Sequence, residues 1–254
     1  MARTSNREKY HFDDFTERAY RDCLRLAKGS YRFIDYHHLN TPGRVCLWRH
    51  DIDTSPQRAL ALGKIEQEEA IASTYFILLH CDRYNALDYQ TREVIHALQD
   101  LGHEVGLHFD PVYYGAEISD RITMEKRMGD ERDILADITG KPVKVFSFHN
   151  PSVNGMIEVG FDNMAGMVNA FSAAIQKEFS YCSDSFCYWR YRRLLDVLQD
   201  ESIERLHILT HPVCWTPEAM SPYARFSRAV RGRADSTLDR YLDNAKRHQR
   251  KIVR

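Results

Sequence analysis

Residues 44–56, RVCLWRHDIDTSP, decide how the chain is read. Val45 to Trp48 is an apolar run with strand character, and it ends in Arg49-His50-Asp51-Ile52-Asp53. Thr54-Ser55-Pro56 then opens a helical pattern, in which Thr54 or Ser55 can cap and proline is accepted in the first turn. Asp51 and Asp53 therefore stand at the carboxyl end of a predicted strand. A spacing of two puts both side chains on one face. Two carboxylates that close repel each other unless a cation lies between them or one keeps a proton. The carboxyl ends of strands are also where α/β folds build their sites. An Asp-rich turn in which one carboxylate caps the helix has the same spacing, so the rest of the chain has to decide.

On either side of this stretch, strand and helix patterns alternate. Residues 12–28 place Phe15, Ala19, Cys23 and Leu26 at helical spacing. Residues 56–69 form a predicted helix with Ala59, Leu60, Leu62 and Ile65 inward, and residues 71–79, IASTYFILL, a buried strand. A helix over 91–101 stops at Gly102, a strand covers 103–110, and a long helix over 119–139 closes at Gly140. Further strands are expected over 143–149, 181–185 and 203–211, and helices over 190–199 and 238–251. Residues 151–180 carry no clear period. Alternation of this kind is the pattern of parallel β/α units. It predicts an α/β fold; periodicity does not separate a closed barrel from a flat doubly wound sheet, and a single closed or nearly closed barrel is taken as the expectation. Residues 1–254 are read as one domain: an N-terminal helical extension over 1–43, a core over 44–215 and a C-terminal helical segment over 216–254.

Composition narrows the classes. With 254 residues, 43% of them hydrophobic, the chain can bury one large α/β core. A net charge of −1 argues against nucleic acid as the main partner. No apolar run is long enough to span a bilayer, and the first residues, MARTSNREKYHFDD, lack the apolar stretch of a signal peptide. The expectation is a cytoplasmic protein. The six cysteines, Cys23, Cys46, Cys81, Cys182, Cys187 and Cys214, form no C-x-x-C pair and are read mostly as buried thiols.

The predicted strands end in polar residues that a plain core strand does not need. The stretch from His103 to His108, HEVGLH, invites comparison with the helical zinc motif, but histidines five apart do not share a helical face. On a strand Gly106, His108 and Asp110 share a face, the glycine leaving room beside His108. His108 is therefore the candidate ligand, and His103 is expected to hydrogen-bond near the strand start. His149 ends the next strand in FSFHNPS and His211 the last in LHILTHP. Three histidines and two aspartates at strand carboxyl ends make a set suited to zinc or a similar divalent ion. In YCSDSFCYWR, Asp184 is available to orient a histidine, and Trp189, with Arg190, to wall a sugar-sized pocket.

With these pieces assembled, the chain resembles the polysaccharide deacetylase (NodB-like, carbohydrate esterase family 4) superfamily. Within it, HDIDTSP, GHEVGLHFD, SFHNPS, SDS and LTHP look like a cytosolic branch tied to lipopolysaccharide O-antigen and surface-polysaccharide biosynthesis, over roughly residues 44–215. The resemblance implies a distorted, incompletely closed (β/α) barrel. It implies Asp51 as base, Asp53 and His108 as metal ligands, and His211 as general acid supported by Asp184. The family's second ligand histidine would fall where this chain has Val112. His149 is inferred to replace it, with Asp110 as the weaker candidate. Arg49, Asn150, Trp189 and Arg190 are expected to touch substrate.

The implied reaction is metal-assisted hydrolysis of an N-acetyl or similar N-acyl group on a sugar, with zinc as the expected ion. Asp51 takes a proton from water and His211 gives one to the departing amine. A nucleotide sugar, or a lipid-linked saccharide at the inner membrane face, suits a cytosolic enzyme. Two other readings stay open: a degenerate barrel that binds a glycan or a partner enzyme without turnover, and an O-acyl or formyl hydrolase using the same metal site.

Overall fold

The computed structural model describes residues 4–118, 120–151, 160–189 and 191–253. In chain order the elements are α1 (Asn6–Lys9), α2 (Glu17–Ser30), β1 (Arg32–Ile34), β2 (Val45–Ile52), α3 (Pro56–Glu68), β3 (Thr74–Leu78) and α4 (Tyr89–Asp100). There follow β4 (Glu104–Phe109), α5 (Pro111–Tyr114), α6 (Arg121–Thr139), β5 (Val145–Phe148), β6 (Asn163–Met164), β7 (Met167–Asn169) and α7 (Ala173–Glu178). The chain closes with β8 (Ser180–Ser183), α8 (Leu194–Leu198), β9 (Arg205–Thr210) and α9 (Pro222–Arg247).

The sheet runs β6-β7-β5-β4-β3-β2-β9-β8, parallel throughout except between β6 and β7. Taken from β8, the order β8-β9-β2-β3-β4-β5-β7 is the chain order, wrapped round and cut once between β7 and β8. Each connection therefore adds its strand on the same side, which curls a sheet toward closure instead of winding it both ways. Across the cut, the Phe171 and Tyr181 rings lie 5.1 Å apart. The fold is an incompletely closed α/β barrel, as the resemblance implies. β1 pairs with Val45 to Leu47 of β2, on the edge where β3 pairs further along with Arg49 to Ile52.

β2 is buried along its whole length, so its two faces both work. Val45 and Leu47 face the interior with Phe76, Val145, Ala170, Ile175 and Phe179. Cys46 and Trp48 face outward, into the layer that α2 and α8 cover. At Gly106 an added Cβ would stand 2.6 Å from the Phe76 ring and 2.9 Å from Val145. The room beside His108 is thus taken by Phe76, which floors the barrel below the histidine.

Local signals explain most boundaries. Ser55 caps α3 by accepting from the Arg58 N–H, with Pro56 in the first turn. α6 stops at Gly140, whose φ of 65° is open to glycine at little cost. The C-terminal helix departs from expectation, beginning at Pro222 rather than 238. Arg225 is its only buried residue; Tyr223, Phe226, Val230, Leu238 and Tyr241 recur along it at helical spacing but stay exposed. β1, β7 and α7, at three, three and six residues, are too short to show a period in the sequence. No described helix is long and apolar enough to cross a membrane.

Candidate functional site

The carboxyl ends of β2, β4, β5, β8 and β9 open into a cavity of 240 Å³. Asp51 sits in the last turn of β2's pleat and Asp53 just beyond it. Both reach His108 Nε2, at 3.7 Å from Asp51 Oδ2 and 3.2 Å from Asp53 Oδ1, so the shared face holds. His108, 2% exposed, is fixed from behind: its Nδ1 lies 2.7 Å from Ser147 Oγ and 3.3 Å from the Ser147 carbonyl. These contacts hold the ring by its Nδ1 and leave Nε2 as the atom turned to the aspartates.

His149 follows β5, its backbone N–H donating to the Phe109 carbonyl at 2.8 Å. One ligand atom from each of Asp53, His108 and His149 lies within 4.8 Å of the others. Val112, where the resemblance looks for an imidazole, is 61% exposed. Asp110 is outside this trio. It caps α5 through the Val112 N–H and lies 3.3 Å from His149 Nδ1, where it can orient that ring.

The donor set suits a hard or borderline divalent ion. Asp51 Oδ1 is buried without a hydrogen-bond partner, and Asp53 Oδ1, also buried, has only His108 Nε2 near it; buried carboxylate oxygens left so are costly. Burial alone would raise the Asp53 carboxyl, but His108, His211 and His149 hold it well below the usual carboxylate range. Burial would lower the His108 imidazole, yet Asp51 and Asp53 pull it upward. That field attracts a cation, and an ion ligated by one carboxylate and two imidazoles would satisfy the orphaned oxygen.

On the other wall stands His211, just after β9. Asp184, fully buried, accepts the imidazole Nδ1–H at 2.6 Å and the His211 backbone N–H at 2.9 Å. Burial opposes a charge on His211, but Asp184, then Asp53 and Asp51, push it up to about 9. The ring's Nε2 faces the cavity, 3.8 Å from Asp53 Oδ2. A disulfide, Cys187–Cys214, ties the Asp184 loop to the turn after His211. Cys23, Cys46, Cys81 and Cys182 are free thiols, most of them buried as read, and Cys187 and Cys214 are the two that depart from that reading. Spacing could not reveal the bond, since the partners are 27 residues apart.

Trp189 is another correction. It does not line the cavity: its indole N–H donates to Asp14 Oδ2 at 2.9 Å and its ring stacks on Phe15 at 4.8 Å. The tryptophan that matters to the pair is Trp215, fully buried, whose N–H donates to Asp184 Oδ2 at 2.8 Å. Its place four residues after His211 in the same turn was the available signal. Tyr191, Phe171 and Tyr181, none anticipated, supply aromatic walls. Arg49 and Asn150 line the cavity as expected. Arg49 Nη2 lies 3.4 Å from Asp51, while its Nε and Nη1 are buried without partners. Arg190 lies outside the described residues.

Behind β2, on the face opposite Asp51, His50 bridges Thr210 Oγ1 and Glu66 Oε1, each at 2.7 Å. Glu66, fully buried in α3, also accepts from Tyr20 at 2.5 Å and Tyr75 at 2.6 Å. His103 hydrogen-bonds near its strand's start, to the Ser73 N–H and the Gly63 carbonyl. This polar layer locks β2 to α3 and β9, where the site's side chains project from the other face.

No family model matches the chain, and no curated protein matches it. Solved structures do, at low identity. The catalytic domain of a peptidoglycan N-acetylglucosamine deacetylase from Eubacterium rectale is 12% identical over 78% of this chain and 87% of that one, with a TM-score of 0.45. A family 4 carbohydrate esterase from Bacillus anthracis is 13% identical over 92% and 88%, with a TM-score of 0.40. A CE4 family pseudoenzyme from Bacillus anthracis is 10% identical over 76% and 61%, with a TM-score of 0.41. The chain thus spans less than two thirds of that pseudoenzyme's length.

Proposed function

We propose that the protein is a metal-dependent hydrolase that removes an N-acetyl or similar N-acyl group from a sugar. One observation carries the reading. An Asp/His/His trio, a second buried carboxylate and a carboxylate-held imidazole converge on one 240 Å³ cavity at the strand carboxyl ends. Asp53, His108 and His149 would hold a divalent ion, zinc in first place, which supplies Lewis-acid polarisation of the acyl carbonyl. Asp51 Oδ1, buried and unpartnered, is placed to accept a proton from water. His211, made basic by Asp184, donates through Nε2 to the departing amine. Tyr191, Phe171 and Tyr181 offer faces against which a pyranose ring can lie, and Arg49 adds a cationic side chain to the same wall.

The sequence motifs around Asp51, His108, His149 and His211 are the support for placing the substrate in bacterial O-antigen or surface-polysaccharide synthesis. The deciding experiment is acetate release from N-acetylated saccharides by the zinc-loaded and the chelated protein. Release that needs the ion and vanishes in Asp51→Asn supports the proposal. A zinc-loaded protein that binds these sugars but releases neither acetate nor formate sinks it. That result would favour the glycan-binding barrel, a reading that Val112 in place of an imidazole keeps in view.

A further inference from the structure

The turn at Asp53 to Ser55 has a second side. There the first turn of α3 and the start of α4 meet α9 around a larger cavity of 550 Å³. Its walls carry Arg58, Arg83, Arg225, Arg228 and Arg233, and among the described residues no carboxylate lines it. Three of these arginines have acidic neighbours set behind the wall: Arg58 with Glu17 at 2.7 Å, Arg83 with Asp82 at 2.7 Å, Arg233 with Asp88 at 3.8 Å. Arg228, exposed, has no partner among the described residues.

Arg225 is the unusual member. It is 1% exposed and its two terminal nitrogens donate to the Cys187 and Phe12 carbonyls, at 2.8 and 2.9 Å. Its Nε is buried with no partner at all. Burial draws this guanidinium down to about 10, against a weaker upward pull from Asp184 and Asp14. Two carbonyls and the face of Phe15, 4.4 Å away, hold this cation without neutralising it, so its charge is left for an anion in the cavity. The amino end of α3, with Ser55 and Gln57 in the same wall, adds its partial positive charge.

We propose that this cavity binds phosphate groups, in the first place a diphosphate. Guanidinium forks match phosphate oxygens two at a time, and several arginines around one cavity suit more than a single charge. The position adds to the argument. Thr54 in its wall follows Asp53, and Val213 stands two residues after His211. The same two segments thus separate the arginine cavity from the metal trio. A sugar diphosphate is one source of such a ligand, its sugar directed to the site that the neighbouring segments carry; only that last step rests on the hydrolase reading.

The test is calorimetric titration of the full chain with inorganic pyrophosphate at fixed ionic strength, which needs no turnover. Saturable binding is expected, weakened about tenfold or more in Arg228→Gln and again in Arg233→Gln. Arg231→Gln, the same charge change on α9 outside the cavity, should leave it unaltered. No saturable binding, or equal weakening by Arg228→Gln and Arg231→Gln, overturns the proposal. So does binding that depends on Asp53 and not on Arg228, which would move the anion to the metal trio. Uridine diphosphate N-acetylglucosamine separates the sources. Arg228-dependent binding much tighter than pyrophosphate assigns the diphosphate to a sugar substrate, and equal affinity assigns the site to a free anion. Acetate release is measured separately, so failure of one reading does not entail failure of the other.

Discussion

Asp184 grips His211 twice, taking the imidazole Nδ1–H at 2.6 Å and the same residue's backbone N–H at 2.9 Å. The second bond fixes where the residue starts and the first fixes which way its ring points. Trp215 then holds the other carboxylate oxygen at 2.8 Å. Asp184→Asn keeps the shape but removes the charge that keeps His211 basic. We expect kcat to fall on the order of a hundredfold or more with KM little changed. Steady-state kinetics on an N-acetylated saccharide reads this, and a KM effect alone would count against His211 as the proton donor.

The metal trio predicts stoichiometry. Purified protein should hold close to one divalent ion per chain, measured by elemental mass spectrometry, and His149→Ala should lose it. If His149→Ala keeps a full equivalent, the third ligand is Asp110 instead. Asp110→Asn, which disturbs only the carboxylate behind His149, should weaken the ion roughly tenfold to a hundredfold.

Glu66 ties stability to acid. Burial opposes its charge, but His50, His103 and Tyr20 bring the folded-state pKa down to about 2 from an ordinary 4.5. A lowered carboxylate stabilises the fold fully above pH about 4.5 and loses that contribution as pH falls toward 2. The shift corresponds to roughly 3 kcal/mol. Glu66→Gln should therefore be most destabilised relative to wild type at pH 7, with the gap roughly halved by pH 3 and closing only below pH about 2. Urea midpoints at both pH values measure it, and a gap that stays constant contradicts the assignment.

The disulfide predicts a thiol count. Two of the six cysteines are paired, so the denatured, unreduced chain should give four titratable thiols, and six after reduction. Cys187→Ser should lower activity more than it perturbs the barrel, because the bond joins the Asp184 loop to the turn after His211. Circular dichroism alongside acetate release separates the two effects.

Much of the barrel was legible because its signals are local. Alternating strand and helix patterns, Ser55 and Pro56 at a helix start and Gly140 at a helix end are all read within a few residues. The face shared by Asp51 and Asp53 followed from the two-residue period of a strand, and the site's histidines from their places at strand ends. What escaped was short or unmarked by burial. β1 and β7 are three residues each, and Tyr191 and Trp215 look like any aromatic in a polar loop. The part of α9 before 238, which no expected helix covered, buries only an arginine.

Sequence alone settled which residues end the strands, and so which side chains could share one mouth. Only the folded chain decided who meets whom there. Trp215, not Trp189, reaches Asp184; Cys187 finds Cys214; and five arginines from three separate segments surround one cavity. The reason is physical. Backbone period is a property of neighbours along the chain, whereas a disulfide, a buried carboxylate's partners and a pocket's charge depend on distances set by packing between elements far apart in sequence.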